Sequence, residues 1–313
     1  MPSDPRPVLV TGANGQIALQ LFERLAQRGV PGRALVRSER AAKRVAELPD
    51  AIRPQIEVLD EALAYSDAPG ITRAAAGCRA IVHLVGILKE GSNSSYRTAH
   101  EESCAAVAEA ADANELDRVV YLSIFGSHPT SSNACLASKG RAEEILMRAK
   151  TPATVLRVPM VVGPDDPASR ALRAQATKDS VTLVGGGESI HQPIDVRDLL
   201  EAILAALYDP GSESRGFDLG GPEALPYRDL VTRAAALYGK APRVRKIPVG
   251  LMKLVAAVME KISKDPPITR AMLGVLEHDD HIDNRTAIEH LAIGLTPLDD
   301  TLGFYLGPKA DSP

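Results

Sequence analysis

The chain has 313 residues, a formal net charge of −4 and 24% charged residues, which allows one large α/β domain or a nucleotide-binding domain with a smaller lobe. The slight acidic excess provides no basic field for nucleic acid, and no apolar run approaches the roughly 20 residues of a membrane-spanning helix. Three widely spaced cysteines, Cys78, Cys104 and Cys135, indicate reduced thiols in an intracellular protein.

The first predicted elements are a strand at residues 8–10, a tight turn and an amphipathic helix. Gly12 permits backbone angles closed to other residues, Gly15 lets a pyrophosphate approach the main chain, and Ala18 lets helix and strand pack closely. The helix start offers free N–H groups to phosphates. This spacing predicts a dinucleotide site, although a turn that binds nothing would have the same pattern. The candidate cofactor-binding residues here are Thr11, Gly12, Asn14, Gly15, Gln16 and Ile17.

Residues 33–37 form the second predicted strand, and Ser38 is placed to cap a helix beginning near Glu39. An acidic residue at the end of this strand would select NAD(H), whereas arginine accommodates a 2′-phosphate. Arg37 therefore favours NADP(H), with NAD(H) as the alternative cofactor and an exposed arginine without a ligand as the alternative interpretation. Arg37 and the adjacent Ser38 are both cofactor-binding candidates. The third predicted strand, residues 56–60, ends at Asp60, which either contacts adenine or caps the next segment.

The fourth predicted strand, residues 80–86, is an almost continuous apolar run of the kind that is covered on both faces of a sheet. Val85 and Gly86 lie at its carboxyl end, where open α/β sheets bind ligands, and both are cofactor-binding candidates. His83 lies within the strand and is predicted to be a hydrogen-bonded core histidine.

A helix is predicted from Tyr96 to Asn114, with His100 at the start of an apolar stripe that also contains Cys104. Core packing explains most of this stripe, but His100 could also face a substrate. The fifth strand, residues 118–123, brings Ser123 to the carboxyl edge. Five strands alternating with helices predict an α/β fold with a doubly wound parallel sheet, the Rossmann fold. We expect this domain to span residues 1–158, followed by a mixed substrate or partner lobe at 159–313 that is interleaved with the end of the sheet.

With these motifs, the chain resembles the short-chain dehydrogenase/reductase superfamily, and within it the atypical group that includes the dehydrogenase-like accessory subunit of respiratory complex I and its bacterial relatives. The resemblance covers nearly the whole chain, and the combination of motifs is more specific than any single one. It rests on residues 11–18, 82–88, 156–164, 194–198, 219–223 and 267–270.

The resemblance also identifies the catalytic positions. Active members carry Tyr-x-x-x-Lys, in which the ammonium lowers the phenol pKa for proton transfer. The lysine corresponds to Lys139 and the tyrosine to Cys135, while Ser123 matches the helper serine to within about a residue. Lys139 could still bind the nicotinamide ribose, and the resemblance places Pro159 beside the nicotinamide. Cys135 could replace the phenol as an acid, but the simpler interpretation is that the proton-relay tyrosine is lost.

Two further segments each have more than one possible role. The apolar helix predicted at 248–262 either packs on the C-terminal lobe, or forms a lid over an apolar substrate or a contact surface for a membrane or a protein partner. The segment His278-Asp279-Asp280-His281 has metal-ligand residue types, but we expect solvated loop residues and no metal. We expect a cytoplasmic location, with peripheral membrane attachment as an option.

Three functions are consistent with these features. The first is an NADP(H)-binding, dehydrogenase-like protein with impaired catalysis, used as a redox-linked structural or assembly factor connected with complex I or quinone metabolism, as the resemblance implies. The second is an active NADPH-dependent reductase of an apolar carbonyl or quinone. The third is an interaction module that binds no nucleotide.

Overall fold

The computed structural model describes residues 5–59 and 63–308. The chain divides into two compact units. The first comprises Met1–Arg157 and Leu200–Phe217, and the second comprises Val158–Leu199 and Asp218–Pro313.

Most of the strands are short, and they are numbered in chain order through both units. They are β1 Val8–Thr11, β2 Gly32–Leu35, β3 Ile56–Val58, β4 Ala80–His83, β5 Arg118–Ile124, β6 Ala153–Val158, β7 Val161–Val162, β8 Ser180–Val184, β9 Ile190–His191, β10 Ile194–Asp195, β11 Arg215–Asp218, β12 Leu225–Pro226 and β13 Arg243–Ile247.

The α-helices are numbered in the same way. They are α1 Gln16–Gln27, α2 Glu39–Ala46, α3 Ala68–Ala75, α4 Ser103–Ala113, α5 Ala134–Met147, α6 Pro167–Ala176, α7 Val196–Leu207, α8 Tyr227–Ala236, α9 Val249–Ile262, α10 Arg270–Leu276, α11 Arg285–Leu291 and α12 Leu298–Leu306.

A seven-stranded sheet in the order β11-β6-β5-β4-β1-β2-β3 forms the centre of the first unit. The pairs β1–β2, β1–β4, β2–β3 and β4–β5 are parallel. Because strand order reverses between β1 and β4, their carboxyl ends flank the crevice where such sheets bind ligands. Every residue of β1 and β4 is buried, as expected for strands covered on both faces. The predicted doubly wound Rossmann fold is confirmed.

The predicted elements of this unit differ from the structure mainly at their ends. The second strand ends at Leu35 and the third at Val58, each two residues earlier than predicted. The helix predicted at 96–114 begins as a π-helical segment, Arg97–Glu102, and continues as α4. The wider turn of a π-helix places its side chains differently from an α-helix, and such segments occur frequently at functional sites.

Short strand pairs and helices make up the second unit. β7 pairs with β10 and β8 with β13 in parallel, whereas β9 and β12 are antiparallel. Asp195 immediately before α7 accepts a hydrogen bond from the Arg197 backbone N–H at 2.7 Å, as a helix-capping residue does. Asp198 accepts hydrogen bonds from the backbone N–H and the hydroxyl of Thr296. These bonds hold the segment before α12 against the start of α7.

Helix α9 differs from the other long helices in how little of it is covered. Ala256 is its buried residue, and Leu251, Leu254, Val258 and Ile262 are exposed. Packing within the C-terminal lobe, the first interpretation from the sequence, therefore accounts for little of this helix. No helix in the described part of the chain is long and apolar enough to cross a membrane.

Candidate functional site

The glycine turn after β1 has the geometry that the sequence predicts. Gly12 has a φ of +68°, and a Cβ at this position would lie 3.3 Å from the carbonyl carbon and oxygen of Leu84, which follows β4. Glycine is therefore required both by the backbone angle and by the close approach of the chain. The Gly15 N–H donates to the Gly12 oxygen at 2.9 Å and closes the turn, while Ala18 is fully buried.

The start of α1 is suited to an anion. Gly15 is the N-cap residue and provides no side-chain hydrogen bond, and the first turn of α1 contains no acidic residue. The first-turn N–H groups therefore keep their hydrogen-bonding capacity, and the positive end of the helix dipole adds to it. Asn14, Gln16 and Ile17 are half-buried here. The crevice has the chemistry to hold a pyrophosphate, as the sequence predicts.

Thr11 and His83 belong to a buried hydrogen-bonded chain beneath this turn. The Thr11 Oγ1 lies 2.6 Å from His83 Nδ1, and His83 Nε2 lies 3.2 Å from the Ser103 hydroxyl. Burial lowers the pKa of His83 to about 3, with the Lys139 charge as a second cause, so the ring is neutral at pH 7. The prediction of a core histidine is confirmed. Because the Thr11 hydroxyl is hydrogen-bonded to His83, the predicted cofactor contact of Thr11 would be made by its backbone.

Arg37 lies just beyond β2 and is exposed. Its Cζ is 5.9 Å from the ring centroid of Tyr65. Burial raises the pKa of Tyr65, while the Arg37 charge and the Gly12 backbone act in the opposite direction. A cation and a phenol therefore lie beside the glycine turn. The Ser38 hydroxyl accepts from Ala41 N at 3.2 Å, which confirms its capping role.

Tyr65 is a site residue that the sequence reasoning missed, because it lies in a loop where no periodic pattern marks it. The only available signal was an aromatic residue among small and polar ones after the third strand. Asp60, the predicted adenine contact or cap, lies outside the described residues.

Gly86 and Lys139 meet at the other side of the crevice, beyond β4. A Cβ on Gly86 would lie 2.9 Å from Lys139 Nζ and 3.8 Å from His100 Nε2, so glycine leaves room for the lysine. Lys139 is buried, donates to the Leu122 oxygen at 3.0 Å, and its Nζ lies 4.5 Å from the centroid of the Tyr121 ring. Burial lowers the pKa of Lys139. Val85 is buried beside Gly86.

His100 is a buried polar group in the same region. Its Nε2 accepts a hydrogen bond from the Ile87 N–H at 3.1 Å, so in the neutral ring the proton is on Nδ1. Burial lowers the pKa of His100 to about 3, and the Lys139 charge acts in the same direction. Among the described residues Nδ1 has no hydrogen-bond partner. A buried donor without a partner is costly in a fold and is a candidate contact for a bound molecule.

Cys135, at the position of the family's tyrosine, is poorly suited to the tyrosine's role. Its thiol is buried and donates to the Ile87 oxygen at 3.5 Å. Burial raises its pKa to about 11, even though Lys139 and a hydrogen bond from Tyr96 act in the opposite direction. The thiol therefore holds its proton at neutral pH, and that proton points to a backbone carbonyl.

Ser123 is also engaged within the protein. Its hydroxyl donates to Glu143, whose other oxygen accepts from Arg157 Nε at 2.7 Å. Burial raises the pKa of Glu143. Glu143 lies one helical turn after Lys139, and this i, i+4 spacing was a signal that the sequence reasoning did not use. The predicted helper serine is thus held by a carboxylate in this arrangement.

The remaining candidates lie in the second unit. Pro159 follows β6, and its predicted contact with the nicotinamide stays a prediction. In the segment 278–281, Asp280 is 3.7 Å from His278 Nδ1 and 3.8 Å from His191 Nδ1, and Asp279 accepts from the Ile190 N–H. Across residues 5–59 and 63–308, no three His, Cys, Asp or Glu side chains are grouped so that they could hold a metal ion.

Comparison with known proteins places this site in a family. A profile described as NAD(P)H-binding matches residues 12–210. The chain is 27% identical over 301 residues to "NADH dehydrogenase [ubiquinone] 1 alpha subcomplex subunit 9, mitochondrial" of Arabidopsis thaliana, covering 93% of this chain and 73% of that protein. It is 26% identical over 249 residues to "Ceramide reductase" of Caulobacter vibrioides, covering 79% and 76%.

A solved structure agrees with the fold. The Bordetella bronchiseptica enzyme WbmG in complex with NAD is 15% identical and aligns with a TM-score of 0.73 over 98% of this chain and 94% of that one. The profile match starts at Gly12 and covers most of the first unit, including β4, β5 and Lys139. The chain therefore belongs to the NAD(P)H-binding family of atypical short-chain dehydrogenase/reductase proteins.

Proposed function

We propose that the protein binds NADP(H) in its first unit without the usual proton relay, and that it serves as a redox-linked structural or assembly factor connected with respiratory complex I or quinone metabolism. The observation that carries this proposal is the environment of Cys135. Its thiol has a raised pKa and donates to the Ile87 carbonyl, and Ser123 is bound to Glu143. Two of the three groups of the usual relay are therefore unavailable to a substrate.

The preference for NADP(H) over NAD(H) is supported by Arg37. Arg37 is exposed and lies just beyond the second strand, where arginine can make charge-assisted hydrogen bonds to a 2′-phosphate. An acidic residue, which would accept hydrogen bonds from the ribose hydroxyls, is absent at positions 36–38.

When bound, the dinucleotide supplies a hydride-carrying nicotinamide. The residues of this chain then have distinct roles. The N–H groups at the start of α1 bind phosphate, Lys139 is the candidate partner for the nicotinamide ribose, and the His100 Nδ1–H is a free donor near Lys139. Because His100 is neutral at pH 7, its Nδ1–H can donate a hydrogen bond, but the ring has no acidic proton to transfer.

A link to respiratory complex I is supported by the Arabidopsis relative, whose name places it in a ubiquinone-linked NADH dehydrogenase, and by the alignment over 93% of this chain. The test is genetic and uses the native host. Deletion of the gene should lower the amount of assembled, membrane-bound NADH:ubiquinone oxidoreductase, and the Cys135→Ser variant should restore it, because the thiol has no catalytic role. Unchanged assembly after deletion would contradict the proposed connection.

The catalytic part is tested by absorbance at 340 nm. Purified protein saturated with NADPH should show no sustained oxidation of the cofactor when apolar aldehydes, ketones or quinones are added. Bound NADPH should be detected at the same time by its fluorescence, so that lack of binding and lack of turnover are distinguished.

An active NADPH-dependent reductase of an apolar carbonyl or quinone is the second candidate. It is favoured by the reductase names of similar relatives, ceramide reductase among them, and by the unpartnered Nδ1–H of His100. Sustained NADPH oxidation that is abolished in Lys139→Met would establish this function and overturn the first. Loss of the activity in Cys135→Ser would further identify the thiol as the proton donor.

A further inference from the structure

Helix α9 carries an apolar stripe that faces solvent. Leu251, Leu254, Val258 and Ile262 are 52%, 62%, 49% and 73% exposed. Their spacing of three, four and four residues places them within one narrow arc of the helix. Ala256, on the opposite side, is the buried residue of α9. The covered face is therefore small, and the wider apolar face is largely open to solvent.

The segment around this stripe is strongly basic, in contrast to a chain of net charge −4. Between positions 243 and 264 there is a single acidic residue, Glu260, and its carboxylate accepts from Arg270 Nε at 2.8 Å. The cationic residues of the segment are Arg243, Arg245, Lys246, Lys253, Lys261 and Lys264.

Five of these six cations lie at the two ends of the apolar stripe, in β13 and at or just after the carboxyl end of α9. Residues 243–246 of β13, just before α9, are exposed, and so are Lys253, Lys261 and Lys264. Lysine and arginine beside an exposed apolar stripe are the pattern of helices that lie in the plane of a bilayer interface. At 14 residues, α9 is about 21 Å long, which is shorter than the roughly 30 Å hydrocarbon core.

We propose that α9 and the adjacent β13 form a docking surface for an anionic lipid bilayer. Leu251, Leu254, Val258 and Ile262 would enter the boundary between headgroups and acyl chains, while the basic residues contact the negatively charged headgroups. A lipid surface is favoured over a protein partner because the cations lie at both ends of the stripe, in β13 and at the carboxyl end of α9. Cations spread in this way fit the evenly distributed negative charge of an anionic bilayer. The inference does not depend on the proposed cofactor or activity.

The absence of tryptophan from the chain permits a direct spectroscopic test. The Ile262→Trp variant contains one tryptophan, placed at the most exposed apolar position of α9. A matched control is Phe304→Trp on α12, because Phe304 is 70% exposed but lies on a helix with Asp299 and Asp300 in its first turn. Vesicles of phosphatidylglycerol and phosphatidylcholine should shift the emission of Trp at 262 to shorter wavelength, and brominated acyl chains should quench it. The control should show neither effect.

Charge reversal tests the electrostatic part. In sedimentation with the same vesicles at 0.1 M salt, the double variant R245E/K246E should bind at least about thirtyfold more weakly than wild type, since each lost basic residue near an anionic bilayer removes about fivefold and each new glutamate adds repulsion. Vesicles of pure phosphatidylcholine should bind wild type weakly. Circular dichroism should show unchanged melting for all variants, because the substituted side chains are exposed.

Three results would overturn the proposal. The first is wild-type protein that does not sediment with anionic vesicles, and the second is equal emission shifts for tryptophan at 262 and 304. The third is a dimer in solution that Ile262→Glu converts to a monomer while vesicle binding is unchanged, because α9 would then contact a second copy of the chain.

Discussion

Replacing Gly12 with alanine perturbs the turn at which the cofactor phosphates should bind. Gly12 has a φ of +68°, and a new Cβ would lie 3.3 Å from the backbone carbonyl atoms of Leu84. The left-handed backbone conformation costs an L residue about 1–2 kcal/mol. The contact adds to this cost because backbone atoms cannot rotate away, so the free energy of unfolding should fall by about 2 kcal/mol. To relieve the contact between the new Cβ and Leu84, the ends of β1 and β4 should also move apart at the place where the pyrophosphate binds.

Gly29→Ala is the matched control. Gly29 also has a φ of +68°, but a Cβ there would meet no atom within 4 Å, and the residue lies after the opposite end of α1. Urea unfolding followed by circular dichroism should show a loss of about 1–2 kcal/mol in this variant. In fluorescence titrations with NADPH, Gly29→Ala should bind like wild type and Gly12→Ala at least about tenfold more weakly, or about 1.4 kcal/mol. Equal NADPH affinity of the two variants would refute the assignment of this turn to the cofactor.

Three further predictions concern charge and protonation. Arg37→Ala should weaken NADPH binding about tenfold and leave NADH binding unchanged in calorimetric titrations; equal losses for both cofactors would contradict the proposed preference. The pKa values of His83 and His100 are both lowered to about 3, so the unfolded chain binds more protons below pH 6.5. Unfolding free energy should therefore fall between pH 7 and pH 5 by about 2 kcal/mol per histidine, and His83→Gln should show about half of this fall. Burial lowers the pKa of Lys139, so Lys139→Met should melt at or above the wild-type temperature at pH 7 while binding NADPH more weakly; a large drop in melting temperature would show that the ammonium stabilises the fold.

The first unit could be predicted from the sequence because its signals are local. The apolar run before Gly12, the glycine spacing and the alternation of strands and helices each depend on residues close together in the chain, and they determine the sheet and the opening turn. The core role of His83 follows from the same logic, since a residue within a strand covered on both faces must be buried.

Side-chain partners that come from distant parts of the chain could not be predicted. Ser123 donates a hydrogen bond to Glu143, and Tyr65, in a loop, lies beside the Arg37 guanidinium. Both contacts depend on how helices and loops pack against the sheet, and the hydrophobic periodicity of the sequence does not specify this packing. The exposure of α9 is similar, because a broadly apolar helix has the same sequence pattern whether it is covered or open to solvent.

A crystal structure of the protein with NADPH tests the central claim most directly. The account predicts that the pyrophosphate lies against the backbone of residues 12–17 at the start of α1, with the 2′-phosphate beside Arg37 and the nicotinamide ribose within hydrogen-bond distance of Lys139. Crystals grown at saturating NADPH that lack density for it at this turn, or that hold the dinucleotide elsewhere, would contradict the account.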